Sequence, residues 1–160
     1  MSKPKPPVKV IHVQSELGTL AFKPGGKTRP RALEDASALI AQFVSVADDG
    51  IKDAIETIEN ISKKATSGML QAEELNDVLM GTERVVGLAS ALERKRLNAV
   101  AHSLAHLVAT FLPAGQGPAA PILVHMQAAR LFASSDDGSE AATEAVLGEL
   151  QRVREHFTRK

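Results

Sequence analysis

Between residues 36 and 61, apolar side chains recur every three or four positions, at Ala36, Ile40, Phe43, Ala47, Ile51, Ala54, Ile58 and Ile61. That spacing keeps one stripe on one face of an α-helix; a strand, whose side chains alternate, would scatter it over both faces. The stripe passes through Asp48-Asp49-Gly50 without losing phase. One long helix is therefore predicted over about residues 33–65. Gly50 costs such a helix about 1 kcal/mol relative to Ala, which packing can absorb. Ser67-Gly68 supplies the stop.

The same period continues downstream. A second helix begins near Gln71 and carries Leu75, Val78, Leu79, Val85, Val86, Ala89 and Leu92. The charged run Glu93-Arg94-Lys95-Arg96 interrupts or bends it. A third stretch follows, with Leu97, Val100, Ala101, Leu104, Leu107, Val108 and Phe111; no proline divides it from the second, so continuity stays open. Pro113-Ala114-Gly115-Gln116-Gly117-Pro118 reads as a loop. A fourth helix over about 120–134 points Ile122, Met126, Ala129 and Ala133 inward. After the loop Ser134-Ser135-Asp136-Asp137-Gly138, Ser139-Glu140 opens a last helix that runs to about Phe157. No strand alternation and no internal repeat follow residue 31. The expected class is all-α, an antiparallel helical bundle.

Charge divides the chain at about Arg31. Residues 1–31 hold seven Lys/Arg against Glu16 alone, a net +6, and residues 32–160 carry a net −6. Pro4, Pro6, Pro7 and Pro24 sit in the basic part. The expected organisation is a flexible basic arm over 1–31 and a helical domain over 32–160. Val8, Val10 and Val13 alternate weakly around Ile11 and His12, and Lys23-Pro24-Gly25-Gly26-Lys27 reads as a turn. With 44% hydrophobic and 24% charged residues, the chain can bury a core and is not compositionally disordered.

Several function classes fall away. Without cysteine there is no disulfide and no thiol chemistry, and a reducing cytoplasm is the natural compartment. No apolar run approaches the roughly 18–20 residues of a membrane span, and no apolar segment follows the N-terminal lysines as in a secretory signal. With no Trp or Tyr, stacking on nucleic-acid bases is not expected. P-loop, G-x-S-x-G and H-E-x-x-H motifs are absent. No metal or other cofactor is implied.

The histidines and carboxylates give the remaining signals. His102 and His106, four apart, fall opposite the apolar stripe of the third helix and face outward. They lack the third ligand that a functional metal site usually needs. His125 lies at the edge of the fourth stripe and reads as a half-buried packing residue, whereas His12 and His156 lie near the ends. Most carboxylates fall on outer faces. On the second helix, with Leu75 at zero, Glu83, Gly87, Ser90 and Met80 fall at about 80°, 120°, 60° and 140°, beside or opposite the core stripe. Gly87 is expensive inside a helix and marks a point where another backbone comes close. Together the four residues make a small outward docking surface.

At these positions the chain resembles the histidine-containing phosphotransfer (HPt) family of two-component phosphorelays, in particular small stand-alone alphaproteobacterial members. Ala32-Leu33-Glu34-Asp35-Ala36 is similar to the start of the family's first helix. Leu70-Gln71-Ala72-Glu73-Glu74-Leu75-Asn76 resembles the start of the helix bearing the active histidine. Val100-Ala101-His102-Ser103-Leu104 and the run Ile122 to Arg130 resemble the helices that follow. The resemblance covers about residues 17–157 and implies a four-helix bundle that docks response-regulator receiver domains or a sensor kinase.

The family motif is His-x-x-Lys-Gly, in which imidazole accepts the phosphoryl group and Lys offsets its charge. In the preferred register Gly87 holds the glycine position, Glu83 that of the histidine and Val86 that of the lysine. Both reactive groups are then replaced, and the resemblance implies a degenerate docking module. In a second register His102 is the phospho-acceptor, with Ala105 and His106 at the lysine and glycine positions. That register implies an active phosphotransfer protein, at the cost of a bulky His on the docking face and too much helix before it. A chemotaxis or cell-cycle setting follows from the resemblance only, and Mg²⁺ would belong to a receiver partner. A helical adaptor or oligomerisation protein unrelated to phosphorelays is the remaining alternative.

Overall fold

The computed structural model describes residues 28–65, 68–134 and 139–158. Contacts divide the chain into residues 1–40 and 41–160. Among the described residues there are five α-helices: α1 (Arg29–Lys64), α2 (Ala72–Ala91), α3 (Lys95–Phe111), α4 (Ala119–Ser134) and α5 (Glu140–Thr158). The all-α class is therefore observed. The alternating stretch Val8–Val13 with His12, the turn at Lys23–Lys27 and the loop residues 135–138 lie outside the described residues, as does nearly all of the arm.

Helix α1 is continuous through Gly50, as the unbroken stripe requires. It starts four residues before the predicted onset, at Arg29, with Pro30 in the first turn, where a missing N–H costs no helical bond. Lys63 and Lys64 close it, placing positive charge on the C-terminal carbonyls. Gly68 takes a left-handed φ of 73° just beyond. In residues 41–160 the stripe is buried from Ala47 onward, through Ile51, Ala54, Ile55 and Ile58. Ahead of it, Phe43 and Ile40 are exposed, although they continue the same stripe.

Helix α2 is opened by Glu74, whose carboxylate accepts the Gln71 backbone N–H at 2.8 Å. It does not run into α3. Glu93 adopts φ 56°, with Arg94 N–H bonded to Ala89 O at 2.8 Å and Glu93 N–H to Ser90 O at 3.1 Å. This is a Schellman termination in which a glutamate occupies the left-handed position usually given to glycine. Arg94 then holds the turn in place: its guanidinium meets Asp48 of α1 at 2.7 Å and Ala133 O near the end of α4 at 3.2 Å.

Helix α3 is the hub of the body, packing against α2, α4 and α5. Leu97, Val100, Leu104, Leu107 and Val108 are fully buried there with Ile51, Ile58, Leu75, Val78 and Ile122. By length and hydropathy alone, Lys95–Ala114 would suffice to cross a membrane, contrary to the expectation from sequence. Here its apolar face is spent on the core. Phe111 stacks edge-on against Phe157 of α5, with centroids 5.7 Å apart. Ser139 caps α5 by accepting the Ala142 N–H at 3.3 Å.

The expectation of no strand beyond the arm is corrected. Met69–Gln71 (β1) pairs antiparallel with Gln116–Pro118 (β2), Leu70 opposite Gly117. The pair joins the α1–α2 and α3–α4 connections, and Leu70 is fully buried. Three-residue strands are too short to show alternation. Gly117 is required because a β-carbon there would lie 2.6 Å from the Phe111 ring.

Candidate docking face on the second helix

Helix α2 buries Leu75, Val78, Thr82, Val85 and Ala89. Its opposite side presents Met80, Glu83, Gly87 and Ser90, all exposed, so these four residues share one outward face. Met80 is 66% exposed, unusual for a side chain of its hydrophobicity. Beside it an open groove between α1 and α2 is lined by Ala54, Thr57, Ile61, Asp77, Gly81 and Arg84. Arg84 reaches across to Asp53 at 3.3 Å, a solvent-exposed pair.

The glycines of α2 have opposite environments. A β-carbon at Gly81 would meet Ile58 Cγ1 at 2.9 Å, whereas one at Gly87 would meet nothing within 4 Å. Gly81 is therefore the close contact between α1 and α2. The backbone approach expected at Gly87 is not made among the described residues. Val86, at the position of the family's lysine in the preferred register, is half-buried and packs against the core.

His102 and His106 are exposed on α3. Among the described residues no group of three His, Asp or Glu side chains gathers to hold a metal ion.

His125 departs from expectation. It is fully buried rather than half-buried. Its Nδ1 donates to Pro121 O at 2.8 Å, since a carbonyl can only accept. Nε2 is then the unprotonated nitrogen, and the Ser103 hydroxyl, 3.1 Å away, donates to it. Burial holds the imidazole pKa below its usual value, with the positive charge of Arg154 acting the same way and the Pro121 bond opposing. With both nitrogens engaged and no exposed edge, His125 clamps α3 to α4 and offers nothing to a phosphoryl donor.

One carboxylate is also not on an outer face. Glu59 is buried on α1 and faces Lys63 at 2.8 Å and Arg130 of α4 at 3.1 Å. The Lys63 hydrogen bond holds its carboxyl below the ordinary value, with desolvation opposing and Arg130 assisting. Its i, i+4 spacing to Lys63 was visible in the sequence; its burial was not, because that depends on α4.

Compared with known proteins, the chain matches no family model, no curated protein and no solved structure.

Proposed function

We propose that this protein is an HPt-like signalling module of the cytoplasm. It docks a response-regulator receiver domain, or a sensor kinase, on the outer face of α2 and carries no phosphate itself. The observation behind this reading is Gly87. An exposed glycine in a helix interior costs about 1 kcal/mol, and no contact at Gly87 among the described residues requires it. A partner backbone that must approach the helix there supplies the reason. Exposed Met80 offers that partner an apolar contact, Glu83 a fixed negative charge and Ser90 a hydroxyl. Glu83 cannot serve as a stable phospho-carrier in place of imidazole, and Val86 supplies no positive charge for a phosphoryl group.

A second reading rests on exposed His102, which is sterically open to a phosphoryl donor. One experiment separates the two. The protein is incubated with phosphorylated receiver domains, and binding and acid-labile label are both followed. The docking reading expects saturable binding without label, weakened strongly by Gly87→Arg and measurably by Glu83→Ala. Label that disappears in His102→Ala would establish an active phosphotransfer protein. Receivers that bind Gly87→Arg as well as wild type would overturn the proposed face. Neither label nor binding would leave the unrelated helical adaptor.

A further inference from the structure

Helix α1 is 36 residues long, against 16 to 20 for the other four. Its first half carries six of the nine exposed large hydrophobic residues among those described: Leu33, Leu39 and Ile40 in the first unit, and Phe43, Val44 and Val46 in the second. Leu39 and Ile40 are 66% and 64% exposed. These are not scattered. At about 100° per residue, these six residues together with Ala32 and Ala36 fill an arc of about 160°, with Glu34, Ala38, Ala41, Gln42 and Ser45 outside it. An arc of that width normally faces a core.

The arc is also self-complementary. Reversing the helix about a point between Leu39 and Ile40 sets Ala36 against Phe43. The small residue then opposes a large one, so side chains can interdigitate. Ile40 meets Ile40 on one side of the dyad and Leu39 meets Leu39 on the other. The ends match in charge. Arg29 and Arg31 stand at the start of the helix, which has no acidic residue in its first turn, and exposed Asp49 follows the arc, Asp48 being already held by Arg94. Antiparallel pairing brings the basic end of one copy to the acidic end of the other, whereas parallel pairing would stack like charges. The helix dipoles favour the same choice.

From this we infer that the protein is a homodimer in which the exposed apolar segment 33–46 of α1 pairs antiparallel with the same segment of a second copy. The contact is isologous, the commonest arrangement of soluble homo-oligomers. The inference is independent of the phosphorelay reading, because the arc lies on α1 and the proposed receiver face on α2.

The test uses the full chain. Sedimentation equilibrium is expected to give twice the chain mass of 17.0 kDa. Ile40→Glu is expected to give the monomer mass with unchanged helicity, since the side chain it replaces is exposed. A monomer of wild type at every concentration up to the solubility limit would overturn the inference. Orientation is read from single cysteines, which are unambiguous because the sequence contains none. Under mild oxidation Ile40→Cys is expected to give a covalent dimer, because it lies at the dyad. Leu33→Cys alone is expected to give none, because it stands near one end of the pairing. Covalent dimers from both variants would mean parallel helices and would overturn the antiparallel arrangement, as would a dimer that Ile40→Glu leaves intact.

Discussion

Gly81 lies so close against Ile58 that a β-carbon on it would come within 2.9 Å of Ile58 Cγ1, while Gly87, less than two turns along the same helix, faces open space. The two glycines serve different ends. Gly81→Ala is expected to destabilise the protein by about 1–2 kcal/mol, because overpacking a fully buried isoleucine outweighs the gain in helix propensity. Gly87→Ala is expected to stabilise it by about 0.8–1 kcal/mol, raising Tm by about 2–4 °C for a chain of this size. Thermal unfolding of the two variants checks both signs. A destabilised Gly87→Ala would mean that the site has an internal packing role after all.

The turn between α2 and α3 holds a second correctable strain. Glu93 occupies a left-handed conformation that costs a non-glycine residue about 1–2 kcal/mol. Glu93→Gly is expected to recover about 1 kcal/mol, less the entropy that glycine adds to the unfolded chain. Urea denaturation should show a higher midpoint at unchanged slope. A lower midpoint would show that the Glu93 side chain holds the turn through contacts of its own.

Acid should be felt first at His125. Its folded pKa lies below its ordinary 6.5, so below that pH the unfolded chain binds a proton that the folded chain does not. Stability is then fully present above about pH 6.5 and falls as pH drops toward the folded pKa. Urea unfolding of wild type between about pH 7.5 and 5.5 should show this loss, and His125→Leu should flatten it. An unchanged slope in His125→Leu would assign the effect to other groups.

Further into acid, Glu59 takes over. Its folded carboxyl titrates below the ordinary 4.5, so the contribution is present above about pH 4.5 and is lost as pH falls through the folded value. Arg130→Met removes the cross-helix partner while leaving Lys63. At neutral pH it is expected to cost about 1–3 kcal/mol, because a buried carboxylate loses a charged hydrogen bond. The gap between wild type and Arg130→Met should narrow as pH drops below about 4.5. A gap independent of pH would show that Arg130 contributes packing rather than charge.

The outward-facing residues of α2 were legible in the sequence because helix phase is local. Once Leu75, Val78, Val85 and Ala89 define the inward stripe of α2, the outward direction of Met80, Glu83, Gly87 and Ser90 follows from 3.6 residues per turn. The same holds for His102 and His106 on α3. His125 was misjudged because phase places a residue at the edge of a stripe without saying whether a neighbouring helix covers that edge. Helix α3 covers it here and supplies Ser103 as partner. The chain reversal at Glu93 was only half legible. The charged run signalled an interruption, but a Schellman turn without glycine leaves no residue signature.

Approximate helix boundaries and facing directions are properties of short segments, and the amino-acid order alone determined them; whether α2 ran on into α3 it left open. Tertiary structure decided what each face meets. It divided the apolar stripe of α1 at Ala47 into a covered part and an uncovered part. It buried Glu59 by bringing Arg130 from α4, and it paired Leu70 with Gly117 across two loops. It also separated the glycine that fits a neighbour from the glycine that fits none. Each of these depends on residues distant in sequence, whose proximity comes from packing the helices together and leaves no period in the chain itself.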